Sequence, residues 1–363
     1  MVSNKQIMKL LPPEVIKGKK AVFNKILVTL IQANQNICIQ QACEQTGLYS
    51  HSKQILNHFK SFTLNEIKDF FFYSSLAILK LSIKQLNLRY LKLAVDITEE
   101  PYYGKLDNPY IWNRSPKSPN GATGHFKYLT ISSTHFNCKL ILFNLMLGPG
   151  YNVEEIIPKA LNEIRKLIPI KQVTFDRGFD NHKLVYELEK LKLNYIIFSR
   201  KNKLTKKIFE NIKKGNSYSK IRTLIFYKNQ EKHTCRARYV YIKSFQFDKK
   251  EEFYDWIFIT NIESFTSVRH IIASYRNRWG IETTFRVLKQ DFRIKTTSKH
   301  QSVRLMCWFF SMLFYNIWQI AKYFISMKIK AKSFFETLRF GFKIKYNLKY
   351  HYEKDILEFF NLN

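Results

Sequence analysis

From Tyr90 to Lys201 the chain changes its hydrophobic period again and again, and this alternation restricts its fold more than any other feature. "YLKLAVDIT" (Tyr90–Thr98) is an apolar run with β-branched residues, suited to a buried strand. "HFKYLTISSTHF" and "KLILFNLMLG" read as two more strands, with "THFNCK" as a hairpin-like link. "NVEEIIPKALNEIRKLI" then carries apolar residues at helical spacing. A strand in "KQVTFDRGF", a helix in "NHKLVYELEKLK" and a strand in "LNYIIFSRK" follow. Three strands, helix, strand, helix, strand predicts an α/β fold: a mixed sheet, antiparallel in part, flanked by helices in right-handed crossovers.

The flanks have other textures. Residues 1–88 read as all-helical. Within them "ICIQQACEQTGLYSHSKQILNHFKSF" resembles a helix-turn-helix, with helices near Gln40–Thr46 and Ser50–Phe59 around Gly47. Ser50 or Ser52 is the expected N-cap of the second helix. His51, Lys53, Gln54, Asn57 and His58 would present polar groups to a DNA groove; plain helix packing explains the same pattern. The core's first part is assigned to 89–205. Residues 206–260 read as a β-rich insertion built from "KIRTLIFYKN", "CRARYVYIKSFQF" and "YDWIFITNI". The core resumes over 261–330, and 331–363 form a basic, aromatic C-terminal tail. "LMCWFFSMLFYNIWQIA" (Leu305–Ala321) has no charge and approaches membrane-spanning length. It contains Ser311, Asn316 and Gln319, so a buried core helix is expected and no membrane partner.

Charge narrows the partners. Lys and Arg number 60 against 28 acidic residues, a formal net charge of +32. Such a field attracts polyanions; a Lys-rich composition alone would give a basic surface too. Cys38, Cys43, Cys138, Cys235 and Cys307 form no C-x-x-C pair or zinc-finger spacing and read as reduced thiols. The N-terminus shows no secretory pattern. A cytoplasmic, nucleoid-associated protein of a prokaryotic host is expected.

Few carboxylates fall where such a sheet places chemistry. Asp96 lies near the end of the first strand and Asp176 ends the fourth; ligands collect at strand ends in sheets with parallel strands. Either could instead cap a turn. Glu99, Glu100 and Asp180 are close by but fall beyond the expected strands. The third acid sits in "YRNRWGIETTFRVLKQDF". At about 100° per residue, Tyr275, Arg278, Glu282, Arg286, Lys289 and Arg293 share one helix face. Ile281, Phe285, Leu288 and Phe292 form an adjacent apolar stripe that would dock the helix. Hard divalent ions need oxygen ligands, and a phosphodiester needs Arg or Lys. A solvated basic face with a single chance glutamate is the plainer alternative.

Tyr275, Arg278, Glu282 and Lys289 have the spacing Y-(2)-R-(3)-E-(6)-K. That pattern resembles the signature of DDE transposases of the insertion-sequence-four group. "TFDRGF" around Asp176 and "AVDIT" around Asp96 are similar too, and the resemblance spans about Leu91 to Phe324. It implies a ribonuclease-H-like core and a catalytic, metal-binding triad of Asp96, Asp176 and Glu282, with the first position open to a neighbouring acid. It implies two Mg²⁺ (or Mn²⁺) ions, and double-stranded DNA as partner, both transposon terminal inverted repeats and target, engaged as a homodimer. Tyr275, Arg278, Lys289, Arg286 and Arg293 would hold DNA at the site, and Lys53, Gln54 and Asn57 at the N-terminal helices. A structure-specific nuclease on the same fold, or a non-catalytic domesticated DNA-binding protein, are the alternative readings.

Overall fold

A computed structural model describes residues 20–33, 37–114, 118–134, 139–228, 230–247, 252–263, 267–324 and 330–346. Its centre is a nine-stranded mixed sheet. β1 (Leu91–Tyr102), β3 (Gly124–Ser133) and β4 (Ile141–Leu147) form an antiparallel meander, and the two-residue β2 (Trp112–Asn113) pairs with the start of β3. The chain then crosses through α5 (Val153–Arg165) to β5 (Ile170–Phe175), parallel to β1. It crosses again through α6 (His182–Lys190) to β6 (Tyr195–Phe198), parallel to β5. The order β4–β3–β1–β5–β6 is a ribonuclease-H-like core, as the period changes predicted.

The segment read as an insertion does not stand apart. β9 (Tyr254–Thr260) pairs antiparallel with β6, β8 (Glu231–Phe245) with β9, and β7 (Ser217–Lys228) with β8. These strands lengthen the core sheet, and β7 is its free edge. A short helix, α7 (Lys203–Glu210), leads into them.

Four N-terminal helices precede the sheet: α1 (Lys20–Ala33), α2 (Ile39–Thr46), α3 (Ser52–Lys60) and α4 (Leu64–Leu86). Gly47 ends α2 at φ 61°, a left-handed conformation that glycine reaches without a Cβ clash. His51, not Ser50 or Ser52, is the N-cap of α3 and makes no side-chain cap bond. The Ser52 amide instead donates to Gln40 Oε1 of α2 at 2.8 Å, which joins the two helices. Ile55 and Phe59 are buried, while Lys53, Gln54 and Asn57 point outward.

After β9 come α8 (Val268–Arg276), α9 (Trp279–Val287), a π-helical turn (Leu288–Phe292), α10 (Gln301–Phe324) and α11 (Ala331–Tyr346). α10 is the expected core helix. Its polar residues are bonded as burial requires: Asn316 accepts from the Ile141 amide and donates to the Ile141 carbonyl on β4, and Ser311 Oγ accepts from the Ile294 amide. No helix among the described residues is long and apolar enough to cross a membrane. Part of the expected tail is ordered as α11, which buries Phe334 and Phe335; the Phe335 ring lies 5.3 Å from that of Phe292. One hydrophobic cluster runs from α1 through the sheet to α11. Cys138, most of the β3–β4 link, the first nineteen residues and those after Tyr346 lie outside the described residues.

Candidate active site

Strand register builds the site. Val95 of β1 pairs with Phe175 of β5 in parallel, so the next residues, Asp96 and Asp176, leave the two strands side by side. Asp176 then turns the chain. Its Oδ1 accepts from the Gly178 amide at 2.6 Å and caps a single 3-10 turn, Arg177–Phe179. Asp180 is structural: it accepts from Ser199 Oγ at 2.6 Å and from the Arg200 amide at 3.0 Å.

The third carboxylate is brought in by packing. Ala94 lies two residues before Asp96, so it shares its face of the sheet. Its small side chain lets α9 approach, and Ala94, Ile281 and Phe285 form a separate buried cluster. Thr284 Oγ1 lies 3.1 Å from Tyr315 Oη of α10. So α9 is held on two sides and Glu282 projects near Asp96.

Arg278 joins them. One guanidinium nitrogen is 3.4 Å from Asp96 Oδ2, and the other is 2.6 Å from Glu282 Oε1. Its side chain is only 8% exposed. Its Nε is buried with no hydrogen-bond partner among the described residues. Burial opposes its charge, but Tyr275, Asp96 and Glu282 outweigh that and hold it more firmly protonated than usual. Burial pushes the Asp96 carboxyl up to about 6; Arg278 and the Ile97 amide act against the rise, and Asp176 and Glu282 add to it.

The single helix face expected for the cations needs correcting. At the α8–α9 junction the Arg278, Gly280 and Ile281 amides all bond three residues back, which tightens the helix. The π turn then adds a residue per turn, and the two irregularities break the constant 100° phase. Tyr275 is buried among Phe198, Trp256 and Phe258, and burial first of all pushes its hydroxyl up to about 12. It seats Arg278, whose guanidinium lies 5.6 Å from its ring centroid, and presents no open surface. Lys289 donates to the Glu99 carbonyl at 2.7 Å, and burial lowers its pKa. Arg293 donates to Glu100 Oε1 at 2.9 Å. Both anchor the π turn to β1. Arg286 is exposed.

Glu100 belongs to that anchor, and reading the sequence had placed it beyond the strand. β1 runs on to Tyr102, so Glu100 is buried within it. Tyr128 Oη donates to it at 3.1 Å, and Arg304 of α10 lies 3.8 Å away. The local signal is a pair of acids after an apolar strand; their cations come from about two hundred residues further on.

Asp176 and Glu282 both fall in a segment with a known relative. Residues 152–317 match the family described as the Transposase DDE domain. Asp96 precedes the DDE domain match and is joined to it by strand register. The fold resembles a piggyBac transposase in a synaptic complex with hairpin DNA, at TM-score 0.52 and 13% identity. The likeness covers 79% of this chain and 58% of that one, so the present chain spans little more than half of that transposase. A Mos1 transposase in a paired-end complex with its left transposon end has TM-score 0.20 and 12% identity over 43% of this chain and 52% of its own, too loose to inform the fold. No curated protein matches the sequence.

The donor set is all carboxylate oxygen, which suits a hard divalent cation. Among the described residues no three such side chains close around an ion, and Arg278 holds the place between two of them as a cation within hydrogen-bonding reach of both. Its buried, unbonded Nε marks a position kept for charge rather than for a complete set of hydrogen bonds.

Proposed function

We propose that the chain is an insertion-sequence transposase of the insertion-sequence-four type. It binds the terminal inverted repeats of its element as a homodimer on DNA, cleaves there, and joins the freed 3′ ends to target DNA. The observation that carries this reading is the meeting of Asp96 and Asp176 at the ends of adjacent parallel strands, with Glu282 tied to Asp96 through Arg278.

Asp96, Asp176 and Glu282 would hold two Mg²⁺ or Mn²⁺ ions. When bound, such ions activate the attacking water or 3′-hydroxyl and stabilise the leaving oxygen. The chain's own residues do the rest. Glu282, half exposed, turns toward the aspartates as Arg278 swings its planar fork to a phosphate. Exposed Arg286 draws in the same strand. Lys289 and Arg293 keep the glutamate helix at a fixed height on β1. Lys53, Gln54 and Asn57 on α3 read the repeat.

The test is a cleavage and strand-transfer assay on DNA carrying the element's ends. Cut and joined products that need a divalent ion and Asp176 support the reading. Cut ends without joined products make the protein a nuclease, and no metal-dependent cutting makes it a binding protein.

A further inference from the structure

A second site lies on the same face of the sheet. A cavity of about 350 Å³ opens between the start of β1, the chain entering β4 and the α8–α9 junction, lined by Tyr90, Lys92, Thr134, Lys139, Arg276 and Gly280 among others. Three cations line it, and no carboxylate does among the described residues. The Lys171 ammonium, 4.6 Å from the Tyr90 ring centroid, adds positive charge at its rim.

The cavity is built rather than incidental. The Arg276 guanidinium is held between two rings, Phe247 at 4.2 Å and Trp279 at 4.4 Å. Rings on both faces restrict it to hydrogen bonding at its edge, the geometry that suits a tetrahedral oxyanion. Thr134 donates to the Lys92 carbonyl from its amide at 2.8 Å and from its hydroxyl at 3.3 Å, which fixes the backbone that carries Lys92. Gly280 adds no side chain, and the Lys139 Cε would lie 3.8 Å from a Cβ placed there.

We propose that this cavity binds a phosphate of the DNA backbone and so sets the path of the strand across the carboxylates. The inference rests on the functional reading above. Lys92 and Asp96 lie four residues apart on one strand and share a face, about 13 Å apart. A stacked strand covers that distance in about four base steps. Trp279, Glu282 and Thr283 are exposed between the two places, so a strand laid over this turn reaches both.

The experiment is a salt series of duplex binding by fluorescence anisotropy, with the full chain and a short labelled duplex. Each lost phosphate contact lowers the slope of log K against log salt by about 0.9. Lys92→Gln with Lys139→Gln should make the slope shallower by about one to two, Lys92→Arg with Lys139→Arg should restore it, and the exposed pair Lys213→Gln with Lys214→Gln should leave it unchanged. Melting curves show that the variants fold. An unchanged slope in the first pair, or an equal loss in the control pair, overturns the proposal. So does stabilisation of the wild type by inorganic phosphate, lost in the first pair, beside an unchanged DNA slope; the site would then hold free phosphate. Strand cleavage is scored separately. A slope that falls in a protein that never cuts DNA upholds this site and rejects the transposase reading.

Discussion

Replacing Glu100 by Gln tests whether charge holds the glutamate helix to the sheet. The side chain keeps its size and an oxygen that can accept from Tyr128, but loses its charge. Arg304, 7% exposed, and Arg293, 30% exposed, then face each other with no anion between them. Breaking a buried pair by removing one partner costs about 3–5 kcal/mol, chiefly because the remaining charge is stranded. For a chain of this size that is a fall in melting temperature on the order of 10 °C. Glu163→Gln is the control: its pair with Lys166 at 2.6 Å is solvent-exposed, and such pairs contribute about 0–1 kcal/mol. Urea unfolding of both variants gives the comparison. Adding Arg293→Gln to Glu100→Gln should recover part of the loss, since one stranded charge is removed with its former partner. If Glu100→Gln costs no more than Glu163→Gln, the network is not a charge anchor and the argument for it fails.

Asp96→Asn, Asp176→Asn and Glu282→Gln should each abolish metal-dependent cleavage while end binding, read by gel shift, persists. The Asp96 carboxyl is raised from 3.8 to about 6, so its contribution to stability is complete below the unfolded value and is lost as pH rises through the folded one. Asp96→Asn should therefore gain about 3 kcal/mol over wild type at pH 8 in metal-free urea titrations, and almost nothing near pH 4. Arg278→Ala should slow cleavage of pre-bound end DNA about ten- to a hundredfold, the loss of a charge-assisted bond; Arg278→Lys should recover only part, and Lys214→Ala, an exposed lysine, should change little. Lys53→Ala, Gln54→Ala and Asn57→Ala together should reduce discrimination between repeat and random DNA at unchanged melting temperature. Deleting the N-terminal helices is the poorer test, because their core is continuous with that of α10.

The core strands and crossover helices were legible because each is short and keeps one hydrophobic period from end to end. Asp96 and Asp176 were legible for a related reason: both follow apolar runs whose ends are visible in the sequence. What failed depended on distant partners. Glu99 and Glu100 look like a strand stop, but Arg293 and Arg304 compensate Glu100 and the strand continues through Pro101. The 206–260 strands look like a separate insertion because nothing local says that β9 pairs with β6. The helix face was drawn with one constant period, so it placed Lys289 and Arg293 beside Glu282 and could not see their bonds to β1. α11 was missed because its anchors, Phe334 and Phe335, are two apolar residues in a basic stretch.

The π turn at Leu288–Phe292 makes this stretch sensitive to length more than to identity. An exchange of Gln290, which is exposed, disturbs nothing that holds the turn. Removal of one residue would let the segment relax to ordinary α-helix and rotate everything after it by about 100°. Arg293 would swing off Glu100, and Phe292 would leave the rings of Tyr315 and Phe335. Related chains can therefore drift widely in composition here, whereas a single-codon gap is the change this region is least able to absorb.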